Sequence, residues 1–380
     1  TAVLRILHEN PDTIIGSSAA EFFSAKNSWV LASIEKVMST ETVDLTVDTD
    51  LMLTNGNRVS INLTTVPLIN VQKECIGSLL VLEDITKEKR LKGTMTRYMA
   101  KEVVDKLLEH GEAMLGGMTH EATIMFSDIR GFTTLSEKSS PQETVSMLNE
   151  YFSIMVDSIF DYEGVLDKYI GDALLAVFGA PFSTGKDPDR AVKTAIDMLS
   201  ALKKFNHKRI AAAKDPINIG IGISTDNILA GNIGCLKRMD YTVIGDGVNL
   251  ASRLEGANKV YGTQILVSEF TYHKLTEKYV SREIDLIRVK GRTKPIGIYQ
   301  ILGYEEQVSF PHLNEALALF HEGLTCYRRR DWQKGIDCFS RILTLNQNDT
   351  TVRLYLDRCR HFANNPPPED WDHVWTLDFK

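Results

Sequence analysis

The chain has 380 residues, of which 43% are hydrophobic and 24% charged, an ordinary globular balance with length for two or three domains. A net charge of -7 argues against general binding of nucleic acid, and no run of eighteen apolar residues offers a membrane span or membrane contact. The five cysteines (Cys75, Cys235, Cys326, Cys338, Cys359) are odd in number and form no CxxC pair, so they read as reduced thiols of a cytoplasmic protein.

No signal peptide is evident, and the chain opens at Thr1 inside what reads as a domain already under way, so upstream sequence is expected. Residues 1–88 read as a small α+β unit. From 57 to 65 apolar and polar residues alternate, placing Val59, Ile61, Leu63 and Thr65 on one face of a strand. Residues 77–84 form a second strand, and the turn-rich stretch 70–74 between the two predicts a hairpin. From 85 to 108 the pattern turns helical and rich in Lys, Arg and Glu. Leu91, Met95, Tyr98, Val103 and Leu107 leave an imperfect apolar stripe, so residues 89–115 read either as a solvated spacer or as a helix pairing with its copy.

Residues 116–304 mix strands (122–127, 165–169, 173–178) with helices (142–160, 190–205, 248–260). Gly171-Asp172 is a two-residue turn joining two of the strands, and segments 217–224 and 228–233 are expected to form another hairpin. Residues 305–380 change character. Helix-like segments flank Asp331-Trp332, with Leu317, Phe320, Leu324 and Tyr327, then Ile336, Phe339 and Ile342, at helical spacing. One such hairpin cannot bury its own apolar face, so it is expected to pack on another part of the protein or on a partner. The tail after Asn364, with Pro366, Pro367 and Pro368, reads as extended.

Three constellations carry chemistry. The first pairs Phe126-Ser127-Asp128-Ile129-Arg130-Gly131-Phe132-Thr133 with Lys168-Tyr169-Ile170-Gly171-Asp172. Each places an aspartate at a strand end, and two such carboxylates can share a pair of divalent metals, Mg2+ or Mn2+. Backbone N–H groups at Phe132 and Thr133, where a helix can begin, could receive phosphate oxygens. The second, Asp240-Tyr241-Thr242-Val243-Ile244-Gly245-Asp246-Gly247-Val248-Asn249-Leu250-Ala251-Ser252-Arg253, puts Asn249 and Arg253 four apart on one helix face. There an Arg can neutralise charge growing on a phosphoryl oxygen. The third, Val289-Lys290-Gly291-Arg292-Thr293-Lys294, sets Lys290 before a glycine turn, placed to grip a terminal phosphate.

In this order, the motifs over roughly residues 117–303 resemble the catalytic domain of the class III adenylyl and guanylyl cyclases. The resemblance implies an α+β, ferredoxin-like fold related to polymerase palms, working as a head-to-tail dimer. It implies attack of the ribose 3′-hydroxyl of a nucleoside triphosphate on its α-phosphate, giving a 3′,5′-cyclic nucleotide and pyrophosphate. By the family pattern Asp128, Asp172 and the Ile129 carbonyl hold two metals, Asn249 and Arg253 serve the transition state, and Lys290 meets the triphosphate. Lys168 and Thr242 match the positions that read adenine in members using ATP. The lysine can donate to adenine N1 and the threonine can accept from the amino group. One chain would supply Asp128 and Asp172, and its homodimer partner Lys168, Thr242, Asn249, Arg253 and Lys290.

Residues 1–88 are similar to a PAS sensor domain, with 89–115 as signalling helix. The 305–380 segment resembles a tetratricopeptide tail, which could take a protein partner. A guanylyl cyclase and a catalytically silent, cyclase-like scaffold are the competing readings.

Overall fold

The computed structural model describes residues 2–23, 25–87, 89, 117–180, 183–235, 238–288, 294–304 and 312–376. The expected helical stretch beyond residue 89 and Lys290 lie outside them. The chain divides into two compact units, residues 1–104 and 105–380.

The first unit holds helices α1 (Ala2–Leu7), α2 (Pro11–Ile14), α3 (Ala19–Phe22) and α4 (Ser28–Thr40) and strands β1 (Asp44–Met52), β2 (Arg58–Ile69) and β3 (Cys75–Asp84). The strands form an antiparallel sheet in the order β1-β2-β3. As the alternation predicts, Val59, Ile61, Leu63 and Thr65 are all buried, and Val59, Ile61 and Leu63 cluster with Val30 of α4. Thr65 meets the Ser33 hydroxyl at 2.9 Å. Strand β1 was not legible in sequence. Its outward positions carry Leu45 and Val47, both exposed, among aspartates and threonines, so no clean two-residue period survives.

In the second unit β4 (Met118–Ile129) is followed by α5 (Phe132–Glu137), α6 (Pro141–Asp161), β5 (Val165–Ile170), β6 (Ala173–Phe178), α7 (Asp187–Ala211) and β7 (Ile219–Cys235). The sheet order β7-β4-β6-β5, antiparallel throughout, is the ferredoxin-like βαββαβ arrangement. Helix α6 begins sharply because Ser140 and Glu143 cap one another's backbone N–H groups and Pro141 fills the first turn. Alternate residues of β6 serve opposite cores. Leu174, Ala176 and Phe178 pack with α6 and α7, and Leu175 and Val177 face the other side.

Strand β7 corrects one expectation. Residues 217–224 and 228–233 do not form a hairpin. From Ile219 on they belong to one 17-residue strand, and the hairpin partner is β8 (Arg238–Ile244). The polar run Thr225-Asp226-Asn227 looks like a turn, but it stays in register with β4 at Thr123, Ala122 and Glu121. The Thr225 hydroxyl is tied to those of Thr123 (2.9 Å) and Thr271 (3.0 Å), so side chains that suggest a bend here satisfy one another across strands.

Helix α8 (Asp246–Tyr261) covers the second face, followed by β9 (Ile265–Ser268), α9 (Glu269–Tyr272), β10 (Tyr279–Arg288) and β11 (Ile296–Tyr304). Helices α10 (Leu313–Arg328), α11 (Trp332–Leu345) and α12 (Thr350–Asn364) pack on that same face. Phe320, Phe339, Tyr355 and Leu356 share a core with Tyr261, Ile284 and Ile298. The helical segment therefore packs on another part of the protein, one of the two arrangements anticipated. A buried pair locks it: Arg358 meets Asp285 at 2.9 Å, and the Tyr261 hydroxyl donates to the same Asp285 oxygen at 2.7 Å. The described part of the tail includes β12 (Trp375–Thr376), parallel to β10 at Ile287 and Arg288.

Candidate active site

Two clusters of polar groups form in the second unit. The first is at the carboxyl end of β4. Asp128 pairs with Gly220 of β7, and Asp172 sits at the tip of the β5–β6 hairpin, whose turn needs the left-handed Gly171 (φ 66°). The two carboxyl groups face each other. Burial, and then hydrogen bonding and repulsion from Asp172, push the Asp128 carboxyl up to about 6.

A third carboxylate, not singled out from sequence, joins them. Glu255 of α8 is pushed up to about 7 by burial and by Asp128, with Arg130 acting in the opposite direction. Ala251, Leu254, Ala257 and Asn258 are buried around it on α8. Gly222 makes the close seating of α8 possible, because a Cβ there would stand 2.2 Å from the Ala251 carbonyl and the Glu255 N–H. Asn258 fastens the same contact by donating to the Ile221 carbonyl at 2.9 Å.

The second cluster joins β5 and β8. The Thr242 hydroxyl donates to Asp167 at 2.9 Å, and the Lys168 ammonium lies 3.4 Å from the same carboxylate oxygen. Asp167, also missed from sequence, thus connects the two residues expected to read a base. Its side chain is only 4% exposed, against 38% for Lys168. Burial raises its carboxyl, with Lys168 and Thr242 pulling the other way.

The remaining candidates are placed less closely. Asn249 and Arg253 project from α8 on one face, Asn249 exposed and Arg253 partly buried. Phe132 is half-buried and packs against the core that includes α6, and Thr133 is exposed at the start of α5. The chain thus brings together Asp128, Ile129 and Asp172, and separately Lys168 and Thr242.

The first cluster fits divalent cations. Its donors are hard oxygens, and two partly buried carboxylates that repel one another are stabilised when a 2+ charge lies between them. Among the described residues no group of three or more His, Cys, Asp or Glu has metal-binding geometry.

Residues 117–303 match the family described as the adenylate and guanylate cyclase catalytic domain, and residues 1–90 match a PAS fold. Adenylate cyclase 1 of Rhizobium meliloti (strain 1021) is 34% identical over 219 residues, 57% of this chain and 33% of that protein. The adenylate cyclase of Anabaena cylindrica is 40% identical over 190 residues, 48% of this chain and 37% of that one. The chain thus spans about a third of the length of these curated relatives. The solved structure of a bacterial light-regulated adenylyl cyclase aligns with a TM-score of 0.51 at 26% identity, covering 63% of this chain and 68% of that one. Guanylyl cyclases are also among the similar solved structures. Over residues 117–303 the chain thus carries a region that matches the adenylate and guanylate cyclase catalytic domain, behind an N-terminal region that matches a PAS fold.

Proposed function

We propose that the chain is an adenylyl cyclase, converting ATP to 3′,5′-cyclic AMP and pyrophosphate in a site shared between two copies. The observation that carries the reading is the facing pair Asp128 and Asp172 at the mouth of the β4–β6 sheet. Two bound divalent ions, Mg2+ or Mn2+, would polarise the 3′-hydroxyl and the phosphate oxygens. Asp128, Asp172 and the Ile129 carbonyl would hold them, and the backbone N–H groups of Phe132 and Thr133 would meet the phosphates.

Arg253 neutralises charge growing at the α-phosphate and Asn249 orients the ribose, both from the partner subunit's α8, while Lys290 contacts the triphosphate. Lys168 donates to adenine N1 and Thr242 accepts from the amino group. Exposed Tyr169, Ile170 and Ile244 beside these residues offer the apolar surface that a second copy would cover. The PAS fold supplies regulation, and the C-terminal helices offer a surface for a protein partner.

The test is product formation from ATP and from GTP, with Mg2+ and Mn2+, across protein dilution. Cyclic AMP from ATP, with specific activity falling on dilution, is the expected result. Cyclic GMP as the main product would move the chain to the guanylyl cyclases. Activity independent of concentration would remove the shared site.

A further inference from the structure

Strand β5 contains a bulge. Leu166 pairs with Ala176 and Lys168 pairs with Leu175, so Asp167 has no partner opposite it. In a regular strand Lys168 would share the face of Leu166. The extra residue turns Lys168 to the face of Leu175, and the Asp167 carboxylate is buried against β8. Bulges of this kind re-aim side chains next to active sites. Here the bulge brings one carboxylate oxygen within 2.9 Å of the Thr242 hydroxyl and 3.4 Å of the Lys168 ammonium.

A threonine hydroxyl has one proton to donate and two lone pairs. Asp167 takes the proton, so only lone pairs remain for anything else that meets Thr242. A hydroxyl in that state accepts and cannot donate. Adenine presents an amino donor where guanine presents the O6 acceptor. A free threonine could rotate and serve either base. A threonine committed to a carboxylate serves adenine and leaves guanine O6 facing lone pairs, an unpaired and repulsive contact. The same carboxylate draws the partly exposed Lys168 toward the position from which its ammonium meets the ring nitrogen.

We propose that Asp167 is a specificity-determining positioning residue: it fixes the polarity of the Thr242 hydroxyl and so makes the site select adenine over guanine nucleotides. This deepens the adenylyl cyclase reading and rests on it.

The test compares kcat/KM for ATP and GTP in the wild type, Asp167→Asn, Thr242→Val and the double variant. The Asp167→Asn side chain would keep the shape but could turn its amide toward Thr242 and release the hydroxyl to donate. The expected result is a fall of about tenfold in the ATP-to-GTP ratio, arising largely from a gain with GTP. In the Thr242→Val background the same change at position 167 should leave the ratio where it was, because no hydroxyl remains to orient. Equal losses with both nucleotides in Asp167→Asn, or an unchanged effect in the Thr242→Val background, would overturn the proposal and reduce Asp167 to a structural contact.

Equilibrium binding of ATP and GTP to the same four proteins separates the two layers of the argument. A wild type that binds both nucleotides but turns over neither removes the activity reading, and the ratio of binding constants still judges Asp167. A wild type without preference between the two nucleotides overturns the role of Asp167 directly.

Discussion

At Asp128, burial and the neighbouring Asp172 act in the same direction, and the carboxyl rises to about 6. Between the ordinary 3.8 and about 6, the folded chain keeps a proton that the unfolded chain has released. This group therefore favours folding at low pH, and that contribution is lost as pH rises through about 6. In the presence of a chelator, Asp128→Asn is expected to melt higher than wild type near pH 8, by a margin that shrinks as pH falls through about 6 toward the ordinary 3.8, as read by circular dichroism. With Mn2+ added at the higher pH, the wild type should gain stability and the variant should not. A wild type insensitive to metal would remove Asp128 from the ligand set. Arg253→Ala tests a different role. Because the guanidinium is assigned to charge that appears only in the transition state, kcat should fall by about 100-fold or more with little change in KM. A rise confined to KM would assign it to ground-state binding. The aspartate pair could be proposed from sequence because Asp128 closes an apolar strand and Asp172 follows Gly171 in a two-residue turn, both displayed by their immediate neighbours. Glu255 and Asp167 could not, since what gives each its meaning, Asp128 for one and Thr242 for the other, lies far away along the chain and is reached only through the fold.

Among the elements, those with a clean period were readable and those with mixed chemistry were not. The buried face of β2 and the helix α6 follow directly from spacing. Strand β7 does not, because Thr225, Asp226 and Asn227 carry turn chemistry while their cross-strand partners keep them extended. The buried ion pair between β10 and α12 lies at this scale too. Asp285 and Arg358 have side chains only 2% and 8% exposed. Asp285→Ala would leave the Arg358 guanidinium buried without its main counter-charge, and also strip the Tyr261 hydroxyl of its acceptor. A loss of about 3–5 kcal/mol is expected in urea unfolding. A loss below about 1 kcal/mol would show that water or a nearby group replaces the carboxylate.

For the molecule as a whole, the C-terminal helices belong to the compact unit that carries the candidate site. They share one core with α8, whose outer face bears Asn249 and Arg253. Removing residues 312–380 would expose Tyr261, Ile284 and Ile298 to solvent. The truncated chain is expected to aggregate or to lose its cooperative melt, and co-expression of the missing segment should restore it. An unaltered melt after truncation would make the helices a dispensable appendage. Sequence showed that a lone helical hairpin needs a surface. It could not show which one, because the receiving residues come from α8, β10 and β11, none of which displays its outer face until the sheet is assembled.

The unpaired position in β5 also bears on how this site tolerates change in length. The flanking pairs, Leu166 with Ala176 and Lys168 with Leu175, are already consecutive rungs. Excising Asp167 would therefore close the strand into an ordinary ladder, with every other side chain still on its present face. Nearly anywhere else in a half-buried strand, a one-residue deletion reverses inside and outside for all that follows. Here it would subtract one carboxylate and little more. A single deletion, rather than a substitution, is thus a shape-preserving way for a protein of this architecture to lose that group.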